Sequence, residues 1–182
     1  MKKNKDNKNQ KVILVNPFDK AIAMEDKLLA HQFGMLHRAF SIFIFRKKNK
    51  KIQLLLQQRS KKKYHGGGLW TNTCCSHPDS PHKNMIIFAE KRLKEEMGIS
   101  VKLKEKGIFH YVAKMKNGLY ENEIDHVLVG YFEGDRVLPN SNEVENYKWQ
   151  DISKIKRDLT LRPNQYTPWF KKALKIAIAR TL

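Results

Sequence analysis

RAFSIFIFRKKNKKIQLLLQ, residues 38–57, is the stretch that decides the fold. Its two apolar runs, 38–45 and 52–57, are short and dense in Ile, Phe and Leu. Runs of that length and composition read as buried strands, and the polar RKKNKK between them reads as the turn that joins them. Upstream, VILV at 12–15 is a third short strand, closed by Asn16-Pro17, and a short helix fits around 25–32. Downstream, RSKKKYHGGGLWTNTCCSHPDSPHK (59–83) carries three consecutive glycines and two prolines, which keep it irregular. Loops of this kind tend to carry function.

Beyond the loop the period changes. Ile86, Ala89, Leu93 and Met97 recur at spacings of three and four, so 83–97 reads as a helix, and Gly98 ends it. Strands are expected at 99–104, 108–115, 123–132 and 144–149. Thr167-Pro168 then reads as the N-cap and first-turn proline of a last helix, with Phe170, Ala173, Leu174 and Ala177 on its apolar face. Many strands with a few separated helices make the chain α+β. One domain is expected over 12–182, after a disordered basic tail at 1–11.

The 182 residues suffice for one sizeable core. No apolar run is long enough to span a membrane or to serve as a secretory signal, so a cytoplasmic protein is expected. The net charge is +18. Such a charge favours anionic partners, but no nucleic-acid-binding signature accompanies it. A Lys-rich surface, or a small anionic substrate, accounts for it. The two cysteines, Cys74 and Cys75, are neighbours and badly placed to bridge each other, so both are expected as free thiols.

Several side chains could carry chemistry. Glu121 and Glu123 are two apart in a strand pattern, so their carboxylates share a face. With His31, His37 and His77 they would suit a first-row divalent cation, or they lie on a solvated strand face and the histidines are unrelated. Glu90, Glu95 and Glu96 at the end of the 83–97 helix could hold Mg²⁺ through carboxylate oxygens, or could simply pair with neighbouring lysines. Lys27 and His31 are four apart and share a helix face, while Arg59 and Lys63 precede the glycines. Cations converging beside a metal would suit a phosphate or diphosphate. Cys75 could be an acid–base thiol near cationic groups, a metal ligand, or a small packed residue.

Taken together, LLAHQFGMLHRAFSIFIF, RSKKKYHGGGLWTNTCCSHP, EEMGI, FHYVAKM, ENEIDH and YTPWF stand in the order and spacing of one family. The sequence resembles the type I isopentenyl-diphosphate delta-isomerases of the Nudix superfamily, from about residue 12 to 180. The Nudix box itself is degraded. Aligned on Gly98, its Gly, Glu, Arg and Glu positions hold His77, Lys83, Lys91 and Arg92, while Glu95 and Glu96 survive. That loss fits an enzyme that holds a diphosphate without cleaving it.

The resemblance implies a Nudix-type sandwich of mixed β-sheets flanked by helices. It implies interconversion of isopentenyl and dimethylallyl diphosphate through a tertiary carbocation, by protonation at C4 and deprotonation at C2. It implies a metal, Mn²⁺ or Zn²⁺, at His31, His37, His77, Glu121 and Glu123, and a Mg²⁺ near Glu96 that engages the diphosphate. Cys75, two before the histidine, matches the family's catalytic thiol and leaves Cys74 to packing. Glu123 with Tyr111 is expected at C4, and Cys75 as thiolate at C2. Lys27, Arg59, Lys63 and Arg92 match its diphosphate contacts, and Tyr111 and Trp169 its hydrocarbon pocket. A monomer or weak homodimer is expected, with no nucleic acid or membrane partner. The rival readings are a Nudix hydrolase and a basic nucleic-acid-binding domain.

Overall fold

The computed structural model describes residues 10–63, 66–115, 117–134 and 136–179. The chain runs β1 (Lys11–Val15), β2 (Ala21–Asp26), α1 (Lys27–Gln32), β3 (His37–Lys48), β4 (Lys51–Arg59), β5 (Trp70–Thr71) and β6 (Cys74–Ser76). It continues through α2 (Met85–Met97), β7 (Lys104–Lys114), β8 (Tyr120–Tyr131), β9 (Val144–Asp151), α3 (Ile152–Leu161) and α4 (Phe170–Ile178). Residues 1–9 of the expected tail lie outside the described residues, and Lys11, its last residue, already belongs to β1.

β3 is the hub of a mixed sheet. It pairs antiparallel with β4 over Phe45–Lys48 and with β6 over Phe40–Ile42, and it runs parallel to β8 from His37↔Glu123 to Phe45↔Tyr131. β7 and β9 pair antiparallel with β8 and β4. Along the other edge of β3, β4 pairs at the Phe45–Lys48 end, β6 takes Phe40–Ile42, and β1 meets His37 through Leu14, so Cys75 and His37 are brought to the same half of the strand.

The two-residue alternation of a strand sorts the core. Phe43, Phe45, Val127 and Val129 face one side, where α3 and α4 cover them with Ile155, Phe170 and Leu174. Phe40, Ile42, Ile44 and Leu128 face the other, under Ala89, Leu93 and Met97 of α2. Phe40, Phe43, Phe45 and Phe170 are fully buried, each contributing roughly 1.5–3 kcal/mol by leaving water. Continuing the Phe43–Val127 face along β3 and β8 gives His37, Ala39 and Ser41 beside Glu121, Glu123 and Asp125. The apolar core therefore passes directly into a polar floor.

Helix ends follow local chemistry. Asn84 caps α2 by accepting from the amides of Ile86 and Ile87, and Gly98 ends it at φ +70°, where a Cβ would lie 2.4 Å from the Leu138 carbonyl oxygen.

Four sequence expectations are corrected. β3 and β4 run through RKKNKK, and Asn49-Lys50 alone make the turn, both at positive φ as a tight hairpin requires. Residues 99–104 form no strand before Lys104; Ile99 and Leu103 are buried against α2 without pairing. The last helix starts at Phe170, and Thr167 does not cap it with its side chain, which bonds Thr71 instead. β2 and α3 were not anticipated, because β2 is an exposed edge without clean alternation. Among the described residues, no helix is long and apolar enough to cross a membrane.

Candidate active site

Three elements bring the histidines together. α1 is capped by Asp26, whose carboxylate accepts from Leu28 N and Leu29 N. His31 lies one turn on, with Nδ1 2.5 Å from the Lys27 carbonyl oxygen. His37 opens β3, with Nδ1 2.7 Å from the Met35 carbonyl oxygen. A carbonyl can only accept, so each Nδ1 carries a proton and each Nε2 is turned inward. These Nε2 atoms face carboxylates: His31 Nε2 lies 3.2 Å from Glu121 Oε2, and His37 Nε2 lies 3.4 Å from Glu123 Oε1. His77 Nε2 is 2.9 Å from the same Glu123 oxygen. Ligand atoms of His31, His37, His77 and Glu123 all lie within 4.8 Å of one another. Glu121, expected in the same set, forms the wall beside His31 rather than joining that tight group of four.

Three ring nitrogens and a carboxylate oxygen converging within 4.8 Å in a largely buried site are a donor set that fits a divalent metal. The electrostatics agree. Burial holds His77 neutral, with its pKa down at about 3. For Glu123, burial and Glu121 push the pKa up, but hydrogen bonding to His37 and His77 outweighs them and leaves it at about 2. The site is a carboxylate beside a neutral His77, while at His37 burial is outweighed by the hydrogen bond to Glu123, which raises the pKa of that imidazole.

These residues open into a cavity of about 530 Å³. Lys27, Arg59, Lys63 and Arg92 line it, as do Cys75, Tyr111, Glu96, Glu123 and Trp169, so every expected substrate residue reaches one space. The cations crowd each other: burial, then Lys63 and Arg59, lower the Lys27 pKa to about 8. Glu143 balances part of this charge, pairing with Lys63 and lying 3.6 Å from Arg92. Nothing in the SNEVEN segment signalled it, since a lone Glu in a polar turn looks like any surface charge.

The acidic end of α2 divides. Glu90 turns away to Lys102 and the Leu103 amide. Arg92 grips Glu95 and Glu96 at 2.6 Å each. Glu95 and Glu96 both line the cavity, and Glu96, 2% exposed, is the buried one, a carboxylate of the kind that suits a cation shared with a bound phosphate.

The adjacent cysteines part at β6. Cys74 pairs with Ile42 and points into the α2 core, while Cys75 pairs with Ser41 and points into the cavity. Burial pushes the Cys75 thiol up to about 12 against the pull of Arg59, whose Nη1 donates to the sulfur at 3.3 Å. Burial therefore favours the protonated thiol, and the thiolate expected of Cys75 forms against it. Opposite, Tyr111 donates to Glu123 Oε2 at 2.5 Å, and its ring lies 6.0 Å from that of Trp169. Sequence reasoning also missed Asp125, which is buried and accepts at 2.7 Å from the Oγ of Ser41, a residue that lines the cavity. Its place two residues after Glu123 on the same strand face was the available signal.

The NUDIX domain family matches residues 35–170. An isopentenyl-diphosphate Delta-isomerase 1 of Aromatoleum aromaticum is 47% identical over 168 residues, covering 92% of each chain. An isopentenyl-diphosphate Delta-isomerase 2 of Photorhabdus laumondii is 44% identical, covering 90% of this chain and 89% of that one. Among solved structures, DR0079 of Deinococcus radiodurans superposes with a TM-score of 0.63 at 14% identity, covering 84% of this chain and 90% of its own. A MutT protein of Methanosarcina mazei gives 0.60 at 20% identity, covering 77% and 91%. These two likenesses concern the fold alone.

Proposed function

The chain belongs to the NUDIX family and, within it, to the isopentenyl-diphosphate Delta-isomerases, and on that premise we propose that it interconverts isopentenyl diphosphate and dimethylallyl diphosphate. The observation that carries this reading is the lining of one cavity. Lys27, Arg59, Lys63 and Arg92 share it with Cys75, Tyr111, Glu123 and Trp169, and Arg59 links the two sets at 3.3 Å from the Cys75 sulfur. The first set takes a diphosphate through charge-assisted hydrogen bonds. The second gives a short hydrocarbon two acid–base groups and an aromatic face.

Moving a double bond from C3–C4 to C2–C3 needs a proton delivered to C4 and another removed from C2. Protonation leaves a tertiary cation at C3. Glu123 with Tyr111 on β8 and β7, and Cys75 on β6, approach the cavity from different strands. One of the two groups gives a proton and the other takes one, and the roles exchange in the reverse reaction. The protein starts with one of the two protons in place, on Cys75. Arg59, 3.3 Å from the sulfur, balances the charge whenever that proton leaves. Trp169 presents its ring to the cation, a contact worth about 2 kcal/mol when desolvated. The remainder comes from excluding water and from fixed charge.

His31, His37, His77 and Glu123, with Glu121 beside them, would hold one divalent metal, Mn²⁺ or Zn²⁺. Glu96 would hold a Mg²⁺ together with the diphosphate. When bound, these ions supply Lewis acidity at the carboxylate and neutralise phosphate charge. The protein is proposed to act as a single domain over 12–182, as a monomer or weak homodimer. A hydrolase is disfavoured because Arg92 stands at a box position for Glu and is ion-paired to both surviving carboxylates.

The test is a product assay with isopentenyl diphosphate, with and without chelator, that also measures phosphate and pyrophosphate. Dimethylallyl diphosphate formed in a chelator-sensitive way, with no phosphate release, is the expected outcome. Phosphate release without isomerisation overturns the reading.

A further inference from the structure

Asn72 has no part in the chemistry above, yet it is fully buried and every hydrogen-bonding position of its amide is used. Its Nδ2 donates to the Ile42 carbonyl oxygen at 3.2 Å and to the Cys74 carbonyl oxygen at 2.7 Å. Its Oδ1 accepts from Trp169 Nε1 at 3.2 Å and from Thr71 Oγ1 at 2.8 Å. The two carbonyls can only accept and the indole can only donate, so the amide has a single possible orientation. Thr71 gives its one hydroxyl hydrogen to Asn72, so in the 2.8 Å contact with Thr167 the donor is Thr167. The resulting chain, Thr167 to Thr71 to Asn72, runs from the start of α4 to the start of β6.

We propose that Asn72 is a positioning residue for the isomerisation, one amide that sets the distance between the Trp169 ring and the strand carrying the Cys75 thiol. It rests on the function proposed above. On one side, the amide bridges the Ile42 and Cys74 carbonyls, which belong to partner residues of β3 and β6. This clamps β6 where Cys75 must point into the cavity. On the other, it holds an indole placed just before α4, where no side chain caps the helix. Tyr111 and Arg59 also lie beside the ring, 6.0 and 5.7 Å from its centroid, but neither meets the indole N–H, which is the group that fixes the ring's direction in its plane. Only an amide fits, since the position needs two donors and a two-lone-pair acceptor in one plane.

Releasing the indole would let water reach the C3 cation. The water oxygen then bonds to C3 and gives up a proton to a neighbouring base, so the product is a tertiary alcohol diphosphate, the substrate plus one water. A residue that mattered only for folding would lower the amount of active protein without changing what the active fraction makes.

The experiment uses the full chain, supplied with Mg²⁺ and Mn²⁺, and the variants Asn72→Ala and Thr71→Val. It measures kcat, KM and the alcohol share by mass spectrometry, with thermal melts on each protein. For Asn72→Ala, kcat should fall about 100-fold, as a roughly 1 Å misplacement can cause. KM should stay within about threefold, because the diphosphate cations are elsewhere, and alcohol should appear. Thr71→Val keeps the volume and breaks one link, so it should shift both readouts the same way but less, and it decides the matter alone if Asn72→Ala does not fold. A folded variant with unchanged kcat and no alcohol overturns the inference, as does a lowered kcat with no alcohol in either variant. A wild-type protein that fails to isomerise at all overturns the functional reading itself.

Discussion

Tyr111 and Glu123 are register partners on β7 and β8, and the phenol donates to Glu123 Oε2 at 2.5 Å while His77 Nε2 lies 2.9 Å from the other oxygen. One carboxylate thus joins the histidine cluster to the hydrocarbon side of the cavity. Glu123→Gln keeps the shape and removes the charge, so isomerase kcat should fall by roughly 10²–10⁴, the usual worth of a positioned acid–base group. Tyr111→Phe should fall less, since the carboxylate remains. Steady-state assays on both variants check this; equal, near-wild-type rates would remove Glu123 from the chemistry.

Cys74 and Cys75 should separate completely in their phenotypes. Cys75→Ala should lose most turnover with little change in melting temperature. Cys74→Ala should keep most turnover and lose about 1 kcal/mol of stability, because its sulfur fills part of the α2 core. Paired activity and urea-unfolding measurements distinguish them, and an active Cys75→Ala protein would sink the thiol role.

Metal removal should both inactivate and destabilise. Three imidazoles and a carboxylate held within 4.8 Å of one another could share a cation, which chelation would remove. A ligand that binds only the folded state raises stability by mass action. The melting temperature should therefore drop with chelator and recover on adding Mn²⁺ or Zn²⁺, and His37→Ala should abolish the recovery. A melt indifferent to chelator in metal-loaded protein would count against the site.

Arg92→Glu puts an acid back at the box position. Since Arg92 faces the cavity and binds Glu95 and Glu96, the expected result is a KM for isopentenyl diphosphate raised tenfold or more, about 1.4 kcal/mol or above. No hydrolysis should appear, because Lys83 still occupies the other acidic position. Pyrophosphate release by this variant would show that the arginine alone separates the two activities.

Tyr166 provides a pH prediction away from the site. Burial, and then its hydrogen bond to Asp158 at 2.9 Å, raise its pKa above the ordinary tyrosine value near 10. The folded state thus keeps a proton that the unfolded chain releases first. The stability from this contact is complete below pH 10 and is lost as pH rises toward the folded value. The stability gap between wild type and Tyr166→Phe should be constant from pH 7 to 9 and shrink from pH 10 upward, as measured by urea unfolding.

How much of this was legible depended on whether a signal was local. The β3–β4 runs, the α2 periodicity with its Gly98 stop, and the ENE alternation are local patterns fixed by backbone geometry, and they were readable. The motif blocks that carry the family resemblance were readable for the same reason. Residues 99–104 misled because Ile99 and Leu103 are apolar for packing against α2, which imitates a strand. Thr167-Pro168 misled because a distant hydroxyl, Thr71, competed for the cap.

By itself, then, the sequence determined the α+β class, the family, and the residue types of the site, because these follow from period, spacing and order along the chain. Tertiary structure alone decided that Glu143 balances Lys63 and Arg92, that Asp125 meets Ser41, and that Asn72 joins Trp169 to Cys74. Apart from the local Asn72–Cys74 bond, the partners in these contacts are separated by 51 to 97 positions in the chain. Pairings over such distances are chosen by strand register and by the cost of leaving a buried polar group unsatisfied. That choice becomes visible only once β3, β6 and β8 lie side by side.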